Sequence, residues 1–150
     1  MGIIKERSWF ILLGSGILTI VAMFIPSIQL LTNYEFYSWV CGLYYSTETG
    51  LGFGGIGFIT ILVPLSAVLL LLAGLKNKKT NTHNLDILGL IGGVTLIFVA
   101  IWRFIAVISY RITVIDIPIY VILIAGVLGM LVGLIGFKEK SFKVEVLQSD

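Results

Sequence analysis

The sequence predicts an all-α membrane protein, a bundle of four transmembrane helices with a small β-hairpin loop on the outer side. The chain has 150 residues, of which 58% are hydrophobic and 12% charged, and its mean hydropathy is +1.07. Soluble domains carry about 25% charged residues, and one of this size cannot bury so much apolar surface. The composition therefore excludes a soluble globular domain, a disordered chain and a nucleic-acid-binding domain.

Four apolar runs are long enough to cross a bilayer. A hydrocarbon core about 30 Å thick requires about 20 residues of helix, in which the backbone polar groups are satisfied internally. The predicted spans are residues 9–31, 51–75, 87–110 and 117–137, which form one membrane domain over 1–150. The first run is too long for the apolar core of a secretory signal, and no small-residue cleavage pattern follows it, so we expect a retained helix.

The basic residues predict the orientation. Arg103 and Arg111 lie on one side of the predicted spans. The other eight lie in the N-terminal segment, the inner loop 76–86 and the tail 138–150: Lys5, Arg7, Lys76, Lys78, Lys79, Lys138, Lys140 and Lys143. Because basic loops remain on the cytoplasmic side, we expect both termini in the cytoplasm, with the plasma membrane as the default location. The tail is expected to be mobile or to extend the last helix.

The first outer loop, residues 32–50, is rich in aromatic and β-branched residues. Its segments 33–40 and 43–47 favour strands, and Cys41-Gly42 suits the turn of a hairpin between them. Cys41 is either a small turn residue or a partner in an intermolecular disulfide. The aromatic residues predict an outer contact surface formed by Tyr34, Tyr37, Trp39, Tyr44 and Tyr45.

Glycines recur at helical spacing in the last two spans. They are Gly89 and Gly93 in the third span and Gly126, Gly129, Gly133 and Gly136 in the fourth. Small residues allow membrane helices to approach closely. Such a face either packs inside the bundle or forms the seam of a homo-oligomer.

Two residues interrupt the apolar spans. Arg103 lies 16 residues after Ile87, which is roughly 24 Å along a helix and close to the outer interface. There it can pair with an outer acidic residue, the candidates being Glu35, Glu48 and Asp116. This depth favours a structural anchor for the outer loop over a substrate or ion role. Pro64 lies in the middle of the second span and predicts a kink.

The sequence contains no pattern typical of an active site or a metal site. With one histidine and one cysteine, it offers neither a nucleophile–base pair nor a zinc motif. We therefore expect no enzyme, no catalytic residues, no metal and no cofactor. The first functional hypothesis is lateral assembly, as a structural or accessory subunit of a membrane complex or as a homo-oligomer. The alternative is a small oligomeric pore or transporter that uses the Pro64 kink and Arg103. The expected partners are the lipid bilayer and either the chain itself or other membrane proteins, with no nucleic acid.

The outer loop also carries a family resemblance. Trp39 precedes Gly42-Leu43-Tyr44, and Pro26 lies at the outer end of the first span. This order resembles claudin-like and peripheral-myelin-type tetraspan proteins, which have four spans, cytoplasmic termini and a β-structured first outer loop. Tyr44 stands where that family has a second Trp, and the family's two loop cysteines are missing. The plan is also similar to that of small prokaryotic four-span proteins. The resemblance implies lateral association and an outer surface used for contact.

Overall fold

A computed structural model describes residues 8–31, 34–39, 43–46, 50–53, 59–80, 86–110 and 113–148. Four helices lie in this part of the chain: α1 (Ser8–Phe24), α2 (Ile59–Thr80), α3 (Asp86–Tyr110) and α4 (Ile117–Gln148). Helices α2, α3 and α4 are long and apolar enough to cross a membrane, while α1 is also apolar but has 17 residues. The described chain is therefore a helical, membrane-embedded fold.

The four helices form a closed bundle in which α1 packs on α2 and α4, and α3 packs on the same two helices. Its centre is aliphatic, with Leu12, Leu70, Leu96 and Ile122 fully buried. Large apolar side chains also cover the outside of the helices, as at Phe10, Ile61, Phe98 and Ile124. A bundle that is apolar both inside and outside suits a lipid environment, because lipid does not penalise the exposed apolar surface as water would.

Within the described residues, five strands form an antiparallel sheet at one end of the bundle. They are β1 (Ser27–Leu31), β2 (Tyr34–Ser38), β3 (Leu43–Ser46), β4 (Gly50–Phe53) and β5 (Thr113–Ile115). The spatial order is β4-β3-β2-β1-β5. Strands β1 to β4 come from the segment between α1 and α2, whereas β5 comes from the segment between α3 and α4. Because β5 pairs with β1, the two connections meet at the same end of the bundle.

The sheet has more strands than the predicted hairpin. Two predicted spans also have the wrong boundary at the end that adjoins the sheet. The first was predicted to reach residue 31, but α1 ends at Phe24 and 27–31 form β1. Pro26 lies between them, and proline disfavours the helical conformation in the residue before it. The second was predicted to begin at residue 51, but 50–53 form β4 and α2 begins at Ile59. Gly50 and Gly52 weaken helix formation there.

The remaining boundaries agree better with prediction. The third span corresponds to α3, and the fourth corresponds to the first two thirds of α4. The tail extends the helix as far as Gln148. The inner loop is shorter than predicted, because α2 continues through Lys76, Lys78 and Lys79 to Thr80. Predictions about Cys41, Gly42 and residues 81–85 fall outside the described residues.

Candidate functional site

Arg103 forms a buried ion pair at the sheet end of the bundle. It lies on α3, and its Nε donates to Oδ2 of Asp116 at 2.7 Å. The side chains of Arg103 and Asp116 are only 15% and 8% exposed. Asp116 is thus the partner found among the three predicted acids; Glu48 and the side chain of Glu35 lie outside what the structure describes.

Two serine hydroxyls complete this group. Arg103 Nη2 donates to Ser27 Oγ at 2.9 Å and to Ser38 Oγ at 3.1 Å. Ser27 Oγ in turn donates to Oδ1 of Asp116 at 2.6 Å. We call these four residues, Arg103, Asp116, Ser27 and Ser38, the polar cluster. Both carboxylate oxygens of Asp116 therefore accept a hydrogen bond from within the cluster.

The secondary structure explains how residues so distant in sequence meet. Ser27 is the first residue of β1 and Ser38 the last of β2, and the strand register places them opposite each other. Asp116 lies between β5 and α4, where its carbonyl accepts from the amide of Ile119. A carboxylate at a helix N-terminus is favoured by the helix dipole. The cluster thus joins β1, β2, α3 and the start of α4.

Trp39 ties the end of α1 to the same region. Its Nε1 donates to the carbonyl of Phe24 at 3.3 Å, which satisfies one of the carbonyls that a helix leaves unpaired at its C-terminus. Trp39 was predicted to belong to an outer contact surface, and it is only partly exposed. Of the predicted tyrosines, Tyr45 is 40% exposed. Tyr34, Tyr37 and Tyr44 lie in strands, but their side chains lie outside what the structure describes.

The cluster is built to join elements. The Arg103 guanidinium and the Asp116 carboxylate are already paired with each other. Within the described residues, no group of three or more His, Cys, Asp or Glu side chains could hold a metal ion. The sequence did not identify the two serines as members of the cluster, and Ser27 lay inside a predicted span. The position of Ser27 directly after Pro26 was the available signal that it lies outside the helix.

The glycines of α3 and α4 lie at a close contact between these two helices. A Cβ atom on Gly93 would lie 2.7 Å from the carbonyl oxygen of Gly126 and would overlap the amide nitrogen of Met130. A Cβ atom on Gly133 would lie 2.6 Å from the amide nitrogen of Leu90. These glycines therefore allow α3 and α4 to pack closely against each other within the chain.

Other glycines make room for core side chains. Leu12 of α1 reaches towards Gly89, where a Cβ atom would lie 2.8 Å from its Cδ2, and Leu70 of α2 reaches towards Gly129 in the same way. Each leucine thus fills space left by a glycine across the bundle. The surroundings of Gly136 lie outside the described part of the structure.

Pro64 lies inside α2 and is partly buried. The hydroxyl of Ser66, two residues later, is fully buried and donates to the carbonyl of Leu62 at 2.7 Å. This part of the helix therefore carries both a proline and a hydroxyl bonded back to the preceding turn, two features that bend helices.

Comparisons with known proteins add no relative: no family model, curated protein or solved structure matches the chain.

Proposed function

We propose that this chain is a non-enzymatic tetraspan membrane protein that acts by lateral assembly, as a structural or accessory subunit of a membrane complex or as a homo-oligomer. The polar cluster is the observation that carries the proposal. Arg103 is the charged residue inside the predicted spans, and its bonds go to Asp116, Ser27 and Ser38. The charge of Arg103 thus holds the sheet on the helices through bonds within the chain. We therefore propose that the protein acts through contacts made by its outer surfaces.

We infer that all four helices cross the membrane in alternating directions. Helix α1 has 17 residues, or roughly 26 Å, at the short end of the lengths that cross a bilayer. Trp9 lies in its first turn and Trp39 bonds to the carbonyl of Phe24 at its other end, and tryptophan favours the membrane interface. The pairing of β5 with β1 supports the alternation. With the basic residues inside, the sheet is outer, both termini are cytoplasmic and the location is the plasma membrane.

We propose that the edge of the sheet formed by β4 is the surface that contacts another chain. Strand β4 is terminal in the sheet and, among the described residues, pairs with β3 alone. Leu51 on β4 is 72% exposed, and Tyr45, its partner in register on β3, is exposed as well. An unprotected strand edge with apolar neighbours can accept a strand from another chain. The resemblance to claudin-like proteins favours the same kind of lateral contact.

The mass of the native particle tests this proposal. The protein is extracted in mild detergent from its native membrane, and the mass of the intact particle is measured. We expect either a small multiple of the 16.5 kDa chain or a larger particle that contains other polypeptides. A bare monomer would count against lateral assembly.

The alternative is a small oligomeric pore or transporter. It is favoured by Pro64 inside α2 and by the presence of Arg103, and it predicts that Arg103→Ala abolishes flux through reconstituted vesicles while the protein still folds. Lateral assembly predicts that the same variant instead weakens the sheet–helix junction or the particle. Arg111→Ala is a control that removes the same charge from the same predicted side.

A further inference from the structure

The end of the bundle opposite the sheet holds a basic side chain over an aromatic ring. Trp9 is the second residue of α1, and Lys78 lies near the end of α2. The Nζ atom of Lys78 lies 5.1 Å from the centroid of the Trp9 ring, within the range of a cation–π interaction. Lys78 is exposed and Trp9 is partly exposed, so both can still be reached from outside.

The packing of α1 on α2 fixes this arrangement. A Cβ atom on Gly74 would lie 3.0 Å from the carbonyl oxygen of Trp9 and 2.9 Å from the amide nitrogen of Leu13. The two backbones therefore touch one turn before Lys78. Residues four apart lie on the same face of a helix, so Lys78 lies above this contact, beside Trp9. The packing of α1 on α2 therefore brings Lys78 beside Trp9, whereas the sequence predicted that Lys78 lies in the inner loop 76–86.

The sequence that flanks this contact is mostly basic. Residues 1–9 and 74–86 contain two acidic residues, Glu6 and Asp86, and five basic ones, namely Lys5, Arg7, Lys76, Lys78 and Lys79. The N-terminus of α1 adds the positive end of its helix dipole. An anion at this place would therefore meet side-chain charge, a helix dipole and an interfacial tryptophan together.

Apolar surface continues directly from the charged group. Phe10 is 63% exposed, and its ring contacts that of Trp9 edge to face. Leu75 is 55% exposed and lies one turn before Lys78 on α2. A ligand with an anionic head and an apolar tail would therefore contact Lys78 with one part and Phe10 and Leu75 with the other.

We propose that this surface, formed by Trp9, Lys78, Phe10 and Leu75, binds an anionic phospholipid at the cleft between α1 and α2. The phosphate pairs with the Lys78 ammonium, the Trp9 ring lies at headgroup depth, and an acyl chain lies along Phe10 and Leu75. Basic side chains near a membrane surface attract anionic lipids by an amount that corresponds to about fivefold in affinity each. This inference holds for either leaflet and for a monomer or an oligomer, so it does not depend on the proposed function.

Native mass spectrometry of the full chain tests the proposal. The protein is released from mixed micelles that contain phosphatidylglycerol and phosphatidylcholine, and the lipids bound per chain are counted. We expect wild type to retain phosphatidylglycerol preferentially, Lys78→Arg to keep this preference, and Lys78→Gln to lose more of it than the roughly fivefold that removal of any basic side chain near the membrane surface causes. Lys76→Gln is the matched control, because Lys76 is an exposed lysine on the same helix that points away from Lys78 at the spacing of two residues.

Three outcomes would overturn the proposal. One is the absence of a phosphatidylglycerol preference in wild type, and another is an equal loss in Lys76→Gln and Lys78→Gln, which would indicate a diffuse surface charge. The third is displacement of the lipid by inorganic phosphate at comparable concentration, which would indicate a site for a free anion. If Lys78→Gln fails to fold by circular dichroism, Trp9→Leu serves as the second variant, and retention of the full preference there would equally refute the site.

Discussion

Two junctions in the described part of the molecule are built by opposite means. The sheet is held on the helices by the polar cluster, in which a charged pair and two hydroxyls form directed hydrogen bonds. Helices α3 and α4 instead pack closely because Gly93, Gly126 and Gly133 have no side chains, so that the two backbones come into contact. The first junction depends on complete pairing, whereas the second depends on small volume. The two should therefore fail in different ways.

Removal of the counter-charge should have the largest effect. In Asp116→Ala, Arg103 stays mostly buried without its acidic partner, and breaking a buried ion pair in this way costs about 3–5 kcal/mol. The free energy of unfolding in detergent, measured by denaturant titration, gives the loss. The double variant Arg103→Met, Asp116→Ala should recover part of it, since no unpaired charge then remains. A loss below about 1 kcal/mol, the value of an exposed pair, would show that the cluster does not fasten the sheet.

A single methyl group should damage the helix seam by a smaller amount. Gly93→Ala places a Cβ atom against the backbone of α4, and such overpacking typically costs about 1–3 kcal/mol. Gly14→Ala is the matched control, because a Cβ atom there meets nothing within 4 Å. In a helix that change alone favours folding by about 0.5–1 kcal/mol. Equal effects of the two substitutions in the same denaturant titration would contradict the packing of α3 on α4.

The hydroxyls of Ser27 and Ser38 should contribute unequally to the stability of the folded protein. Ser38→Ala removes one bond from Arg103 and should cost about 1 kcal/mol. Ser27→Ala should cost more, because Ser27 both accepts from Arg103 and donates to Asp116. A thermal unfolding series of the two variants in one detergent gives the order. The reverse order would mean that the bond between Ser27 and Asp116 contributes little.

The sequence predicted the helices better than it predicted the sheet. Long apolar runs identified α3 almost to the residue, and Asp116, one of the three acids suggested for Arg103, is its partner in the structure. Strands β1 and β4 were missed as strands because their segments, SIQLL and GLGF, are short and apolar. Such runs extend a hydropathy window without revealing whether the backbone is helical or extended. Pro26 and the alternate glycines of β4 were the local signals against a helix.

Only Arg103 and Asp116 of the polar cluster could be predicted from the sequence, and the reason is physical. A lone arginine in an apolar run demands a partner, so a search for acidic residues near the same depth found Asp116. A serine makes no such demand, since its hydroxyl can bond to its own helix, as Ser15 and Thr19 do. Ser27 and Ser38 become members only once the register of β1 on β2 is known. That register depends on pairing between strands, which composition does not reveal.

The pairing of β1 with β5 sets an order for biogenesis. Ser27 and Asp116 are separated by 89 positions, so the first half of the chain is synthesised and inserted long before its partners exist. Until the chain has been synthesised past Asp116, the free edge of β1 lacks β5, and Ser27 lacks its acidic partner. Completion of the sheet therefore requires that synthesis has passed the connection between α3 and α4. A chain truncated before residue 113 would lack β5 and would leave the edge of β1 without its β5 partner.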